Sequence, residues 1–360
     1  MSIISATDRA LPLLRALDRR PVEHTPVWLM RQAGRYLPEY RAVRGHHSML
    51  EIIADPALAA EVTLQPLARF PLDAAIIFSD ILPPLAAMGV PVEFTTTDGP
   101  HIPDPIRRAR QIDLLAVPPA AETLAPTLDA IRLVKRELAG RSIALIGFAG
   151  APFTLASYAI EGGTSRAFTT TKRLMYSEPA AWKRLMTKLA TLQIDYLKEQ
   201  AAAGADLVQL FDSWSGLALG RDDYRDYVQP YNRMIFDALA SSGITAINFS
   251  TGTGGYIEEV AACGGDCIGV DWRLPIDELW QRIGTERSIQ GNLDPALLLG
   301  PWREIEHHAD TILRQAAGRP GHIFNLGHGV LPETSPDVVG RLVDYVHERS
   351  AAISAERAPS

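Results

Sequence analysis

Eight short apolar runs, each ending in polar or glycine residues, limit the fold of this chain more than any other feature. They occupy 26–30, 74–78, 143–148, 206–211, 245–249, 267–270, 288–291 and 322–325. Most of the intervening stretches repeat apolar residues at helical spacing. Asp55-Pro56, Asp294-Pro295 and Ser335-Pro336 each set a capping side chain before a proline suited to a first helical turn. Strands alternating with helices imply a parallel α/β sheet, and eight strands favour closure into a (β/α)8 TIM barrel. A single barrel over 1–350 is compatible with a chain of 360 residues. The segment 94–126, with its six prolines, reads as an insertion after the second strand. Residues 351–360 are small and polar and read as a disordered C-terminal tail.

Charge narrows the partners. A formal net charge of −7 argues against nucleic acid or an anionic membrane surface, and an acidic ligand would need a locally basic site. Cys263 and Cys267 are too few for a disulfide framework and fit no common zinc spacing, so they read as packed thiols. A reducing, cytoplasmic setting is expected. Asp8, Arg9, Arg15 and Asp18 leave no signal-peptide core in the first twenty residues. The uncharged stretch 142–160 is long enough to span a bilayer, but Gly147, Gly150, Pro152, Thr154 and Ser157 make it a strand, a tight turn and a helix start. No glycine-rich nucleotide motif follows a strand. No His/Asp/Glu group has metal-binding spacing either: His46-His47 and His307-His308 are adjacent pairs that point apart on any regular element.

In a barrel, chemistry sits where strands end and helices have not yet begun. Arg31, Arg35, Arg41 and Arg44 fall within fourteen residues after the first run, opposed by Glu39 alone. Guanidinium forks bind carboxylates bidentately, so the cluster suits a polycarboxylate; a solvated charge run would look the same. Asp80 closes the second run and either faces the barrel mouth or caps a helix. His328, between two glycines after the eighth run, is either an exposed imidazole or a structural one. Ser213 has no nucleophile elbow around it.

Six strings carry a resemblance: Met-Arg-Gln-Ala-Gly-Arg-Tyr (30–36), Phe-Ser-Asp-Ile-Leu (78–82), Gly-Ala-Pro-Phe-Thr-Leu (150–155), Phe-Asp-Ser-Trp (211–214), Gln-Gly-Asn-Leu-Asp-Pro (290–295) and Asn-Leu-Gly-His-Gly (325–329). In order and over nearly the whole chain, they resemble the uroporphyrinogen decarboxylase family. The resemblance implies a homodimeric barrel, a carbon–carbon lyase of tetrapyrrole and heme biosynthesis. Such an enzyme removes CO2 from the four acetate side chains of uroporphyrinogen III to give coproporphyrinogen III, with no metal or organic cofactor. It also implies that Arg31 and Arg35 contact substrate carboxylates, with Gln32, Ala33 and Gly34 in the same contacting string and Arg44 added by its place in the loop. Asp80 would accept the central pyrrole N–H groups, and Tyr158, Ser213 and His328 would line the pocket. Asp80 and Arg31 are the expected catalytic pair, although an arginine, or a water it orients, is an awkward proton donor. Two other readings compete. A related barrel methyltransferase acting on a corrinoid or thiol would hold zinc on His and Cys, but neither cysteine has a His two residues before it. A non-catalytic tetrapyrrole-binding protein would be expected to lack Asp80 or the Arg31/Arg35 pair. A Schiff-base aldolase would need a lysine ending a strand, and none of the five lysines lies there.

Overall fold

Seven of the eight apolar runs become strands of one parallel sheet. The structure, a computed structural model, describes residues 11–95 and 99–357; Asp8, Arg9 and the last three residues of the tail lie outside these. In chain order the strands are β1 (Ala74–Ile76), β2 (Glu93–Thr95), β3 (Gly99–His101), β4 (Ala144–Gly150), β5 (Leu207–Asp212), β6 (Ala246–Ser250), β7 (Cys267–Gly269), β8 (Ser288–Leu293) and β9 (His322–Leu326). The main sheet runs β1-β4-β5-β6-β7-β8-β9, all parallel, with β2 and β3 forming a separate antiparallel pair. Its strands are buried on nearly every residue because helices cover the outside while side chains fill the inside.

The run at 26–30 does not become the eighth ladder strand that the sequence leads one to expect. It makes a lone parallel bridge, Val27 to Phe324. The carbonyls of Pro26 and Val27 accept the Phe324 and Asp73 amides, both at 2.9 Å, so the segment spans the gap between β9 and the start of β1. Its own amides go elsewhere: Val27 N–H donates to Asp73 Oδ2 (2.7 Å), Leu29 N–H to Gln32 Oε1 (3.1 Å) and Met30 N–H to Asn325 Oδ1 (3.1 Å). Pro26 has no N–H to offer. With its donors taken by side chains, the segment cannot extend a ladder. The result is a curled, partly open seven-stranded sheet with an irregular stave, not a closed eight-stranded barrel. Inside it, Trp28 Nε1 donates to Gln290 Oε1 (2.9 Å) and Gln290 Nε2 to Gln209 Oε1 (3.0 Å), linking the stave to β8 and β5.

The proline-marked helix starts are present. Asp55 accepts the Ala57 and Leu58 amides at 2.8 and 3.2 Å and opens helix Pro56–Arg69. Asp294 accepts the Ala296 amide (2.9 Å) and opens the 3-10 turn Pro295–Leu299. Helix Pro336–Arg357 starts on the third such proline. It continues through seven of the residues read as a disordered tail, with Ile353 buried against the core. The proline-rich insertion lies between β1 and β4 and contains the β2–β3 pair and helices Ala109–Leu114 and Ala120–Thr123. The uncharged stretch 142–160 is β4 followed by helix Pro152–Glu161, and among the described residues no helix is long and apolar enough to cross a membrane.

Candidate active site

The C-terminal ends of the strands surround a cavity of about 750 Å³. The loop after the stave forms one wall. Arg31 has φ +61°, a left-handed turn that side-chain-bearing residues seldom adopt, and the residues around it hold the turn in place. Gln32 is buried and does not line the cavity. Its Nε2 donates to Ala74 O (3.0 Å), its Oε1 accepts the Leu29 amide, and its carbonyl accepts Tyr36 Oη–H (2.8 Å). Gln32 and Tyr36 therefore anchor the loop, while Arg31, Ala33, Gly34 and Arg35 face the cavity. Two glycines make room. A Cβ on Gly34 would lie 2.9 Å from the Arg31 carbonyl oxygen, and one on Gly329 would lie 2.4 Å from Arg31 Cδ.

The arginine cluster divides by role. Arg31, Arg35 and Arg44 line the cavity. Arg41 instead donates to the carbonyls of Arg35 (2.9 Å) and Tyr36 (3.0 Å), and Glu39 pairs with Arg69 at 2.6 Å. Arg44 donates to the His47 carbonyl. Among the described residues, no acidic side chain forms an ion pair with Arg31, Arg35 or Arg44. The loop's single acid faces away, so the positive charge at the mouth is left for a ligand.

Asp80, four residues beyond β1, is the one carboxylate lining the cavity among the described residues. Oδ1 accepts the Leu82 amide at 2.9 Å, so a helix-approach bond and a place in the cavity coexist in one side chain. Burial pushes its pKa up; the Leu82 amide and the nearby Arg31 guanidinium work against that. Hydrogen-bond donors share the cavity with it. Burial, reinforced by Asp80, pushes the Tyr158 phenol up to about 12, so it keeps its proton. Burial, with Arg31 and Arg273 nearby, pushes the His328 imidazole down to about 4. Because His328 Nδ1 accepts the Gly329 amide (2.7 Å), the proton of the neutral ring is on Nε2. Ser213 also lines the cavity, and its amide donates to Thr154 Oγ1 at 3.1 Å. Thr154 in turn donates to the buried Asp212 at 3.2 Å, which also accepts the Ser215 amide and Asn232.

The floor is aromatic, and sequence reading had not assembled it. Phe148, Phe211 and Phe249, from β4, β5 and β6, pack edge to face with centroids 5.5 Å apart, and Tyr158 lies over Trp214 at 4.0 Å. Phe94, Gly99 and Pro100 bring the insertion to the rim. Each Phe ends an apolar run, which is the only local signal that it could reach the cavity. Cys263 and Cys267 are buried away from it; Cys263 Sγ lies 3.4 Å from Tyr224 Oη.

Fold and site together define an α/β protein of the barrel type whose cavity is lined by arginines, aromatic rings and, among the described residues, one carboxylate. The comparisons with known proteins agree. The family model "Uroporphyrinogen decarboxylase (URO-D)" matches residues 9–349, and the chain belongs to that family. It is 52% identical over 334 residues to a uroporphyrinogen decarboxylase of Sorangium cellulosum, covering 93% of this chain and 95% of the relative. It is 51% identical over 343 residues to one from a Roseiflexus species, covering 94% and 98%. Among solved structures, a methyltransferase from Methanosarcina mazei superposes with a TM-score of 0.77 over 94% of this chain and 97% of that one. At 22% identity, that likeness concerns the fold.

Proposed function

We propose that this chain removes CO2 from the acetate side chains of uroporphyrinogen III to give coproporphyrinogen III, with the cavity around Asp80 as its active site. One observation supports the assignment of the site: among the described residues, a single carboxylate, Asp80, lines an aromatic-walled cavity together with three arginines that form no ion pair. Arg31, Arg35 and Arg44 bind peripheral carboxylates through their forks. Tyr158 Oη–H, His328 Nε2–H and Ser213 Oγ–H add neutral donors.

The chemistry follows from the pyrrole. Protonation of a ring carbon next to the acetate-bearing position makes a cation. The electron pair of the C–CO2 bond then flows into the ring, releasing CO2 and neutralising that charge. A second proton adds to the resulting exocyclic methylene to form the methyl group, and the ring carbon returns the first. Each acetate thus consumes one proton and yields one CO2. Asp80 accepts pyrrole N–H bonds and stabilises the cationic stage, the moment at which a preorganised anion lowers the barrier. Arg31, or a water it orients, delivers the proton. The aromatic rings exclude bulk water.

Anaerobic incubation of the purified protein with uroporphyrinogen III, followed by mass spectrometry, tests this reading: four successive losses of CO2 are expected. Binding without mass loss would instead identify a tetrapyrrole carrier. The working form is a cytoplasmic homodimer, which light scattering at two protein concentrations tests.

A further inference from the structure

At the end of the sheet opposite the cavity, two imidazoles converge on one carboxylate. His24 Nε2 lies 3.1 Å from Asp73 Oδ1, and His347 Nε2 lies 2.9 Å from Asp73 Oδ2. The rings face one another with centroids 3.9 Å apart, and one donor atom from each of the three residues falls within 4.8 Å of the others. Asp73 immediately precedes β1 and Asp80 follows it, so the strand separates this cluster from the decarboxylation site.

We infer that His24, Asp73 and His347 form a binding site for a divalent transition-metal ion, best suited to Zn2+, that locks the open side of the sheet. Two imidazole nitrogens and a carboxylate oxygen are a ligand set that zinc accepts, with water as the fourth ligand. Donors on a tetrahedral zinc with bonds of about 2.0–2.1 Å stand roughly 3.3–3.5 Å apart. The His24 Nε2–Asp73 Oδ1 distance of 3.1 Å needs to open by only a few tenths of an ångström, while the other donor pairs, all within 4.8 Å, are drawn together by the ion. Asp73 Oδ2 also accepts the Val27 amide at 2.7 Å, which leaves Oδ1 as the freer oxygen for a metal. The His24 and His347 side chains keep 27% and 18% of their surface exposed, enough to admit water, whereas Asp73 keeps 8%. On binding, each Nε2 gives up the proton it shares with Asp73, and the Nε2 lone pair goes to the metal.

The three ligands come from distant parts of the chain. His24 is two residues before the stave, Asp73 is at the start of β1, and His347 is on helix Pro336–Arg357. Beside them, the Thr25 amide donates to Ser350 Oγ at 2.8 Å, tying the same helix to the stave by a second route. A metal here would cross-link the segments that close the sheet, and its effect would be on stability.

The full-length protein, stripped with chelator and dialysed, is titrated with Zn2+ alone near neutral pH. Beyond any weak surface sites, the expected result is one tight site and a Zn2+-dependent rise in Tm. His24→Gln and His347→Gln should each weaken that site on the order of tenfold or more and reduce the rise in Tm at a fixed Zn2+ concentration. A His307→Gln/His308→Gln variant, which removes the surface histidine pair, should keep both. Co2+ in place of Zn2+ should show visible absorption bands of a four- or five-coordinate site. Neither histidine variant removes Asp73, whose bond to the Val27 amide the fold needs. The inference is overturned if the wild type shows no saturable tight site, or if both single variants bind Zn2+ as the wild type does.

Discussion

Asp80 and Gln32 show how much one side chain's direction decides. Both follow apolar runs; one ends in the cavity and the other in the wall. Asp80→Asn keeps an oxygen for the Leu82 amide, so the fold should survive. It loses the negative charge, however, and turns an NH2 donor toward pyrrole donors. The expected loss in kcat/KM is on the order of 10²–10³, with an unchanged melting curve. A folded Asn variant within about threefold of wild type would reduce Asp80 to a turn residue. Gly329 leads to a second expectation. Its missing Cβ leaves the path taken by Arg31 Cγ and Cδ, which a methyl group would approach to 2.7 and 2.4 Å. Gly329→Ala should displace the guanidinium and lower kcat/KM by about 10–100-fold, because misplacement by an ångström is that costly. Tm should move little, since the clash is with a flexible side chain. Wild-type kinetics in Gly329→Ala would show that Arg31 has room to spare. Sequence spacing gathered Arg31, Arg35, Arg41 and Arg44 into one cluster, but nothing local distinguished the cavity-lining Arg31 and Arg35 from Arg41, which binds backbone carbonyls instead.

At the scale of elements, β9 carries a titratable group that the catalytic reading does not use. His322 is buried at its start, with Nε2 donating to the Gly291 carbonyl at 3.0 Å. Burial pushes its pKa down to about 4. In the unfolded chain a histidine titrates near 6.5, so below that value the unfolded state takes up a proton that the native state refuses. The neutral ring's contribution is thus fully present above about pH 6.5, lost progressively down to about pH 4, and constant below. Its size is roughly 3 kcal/mol, and His328 acts in the same direction. Urea unfolding between pH 7.5 and 4.5 should show a shallower acid loss for His322→Gln than for wild type, whatever the variant's absolute stability. Parallel curves would mean that the ring is protonated in the native state. The elements themselves were largely legible. Strand positions followed from apolar runs and helix starts from capping residue and proline, because both signals are local. The stave at 26–30 was misread because its pattern is that of a strand, while the partners of its amides are side chains at 32, 73 and 325.

For the whole molecule, charge sets an opposition. The chain carries −7 overall, yet its cavity is lined by three arginines that form no ion pair among the described residues. A polycarboxylate is repelled at long range and attracted near the mouth. Screening over roughly 8–10 Å weakens both effects, and the nearer one should govern capture. kcat/KM should therefore fall as salt rises at constant pH; a flat or rising profile would show that the arginines bind without steering. The sequence alone determined the order of elements, their apolar faces, the polar residues at the strand ends and the strings that carry the family, all properties of neighbours along the chain. Tertiary structure alone decided how the sheet closes, that the insertion's Phe94 and Pro100 reach the rim, and that His24, Asp73 and His347 meet. Those outcomes depend on which donors and acceptors satisfy one another across separations as large as 295 residues. Hydrophobic periodicity carries no record of such pairings, since it reports which face of an element is buried and not what it is buried against.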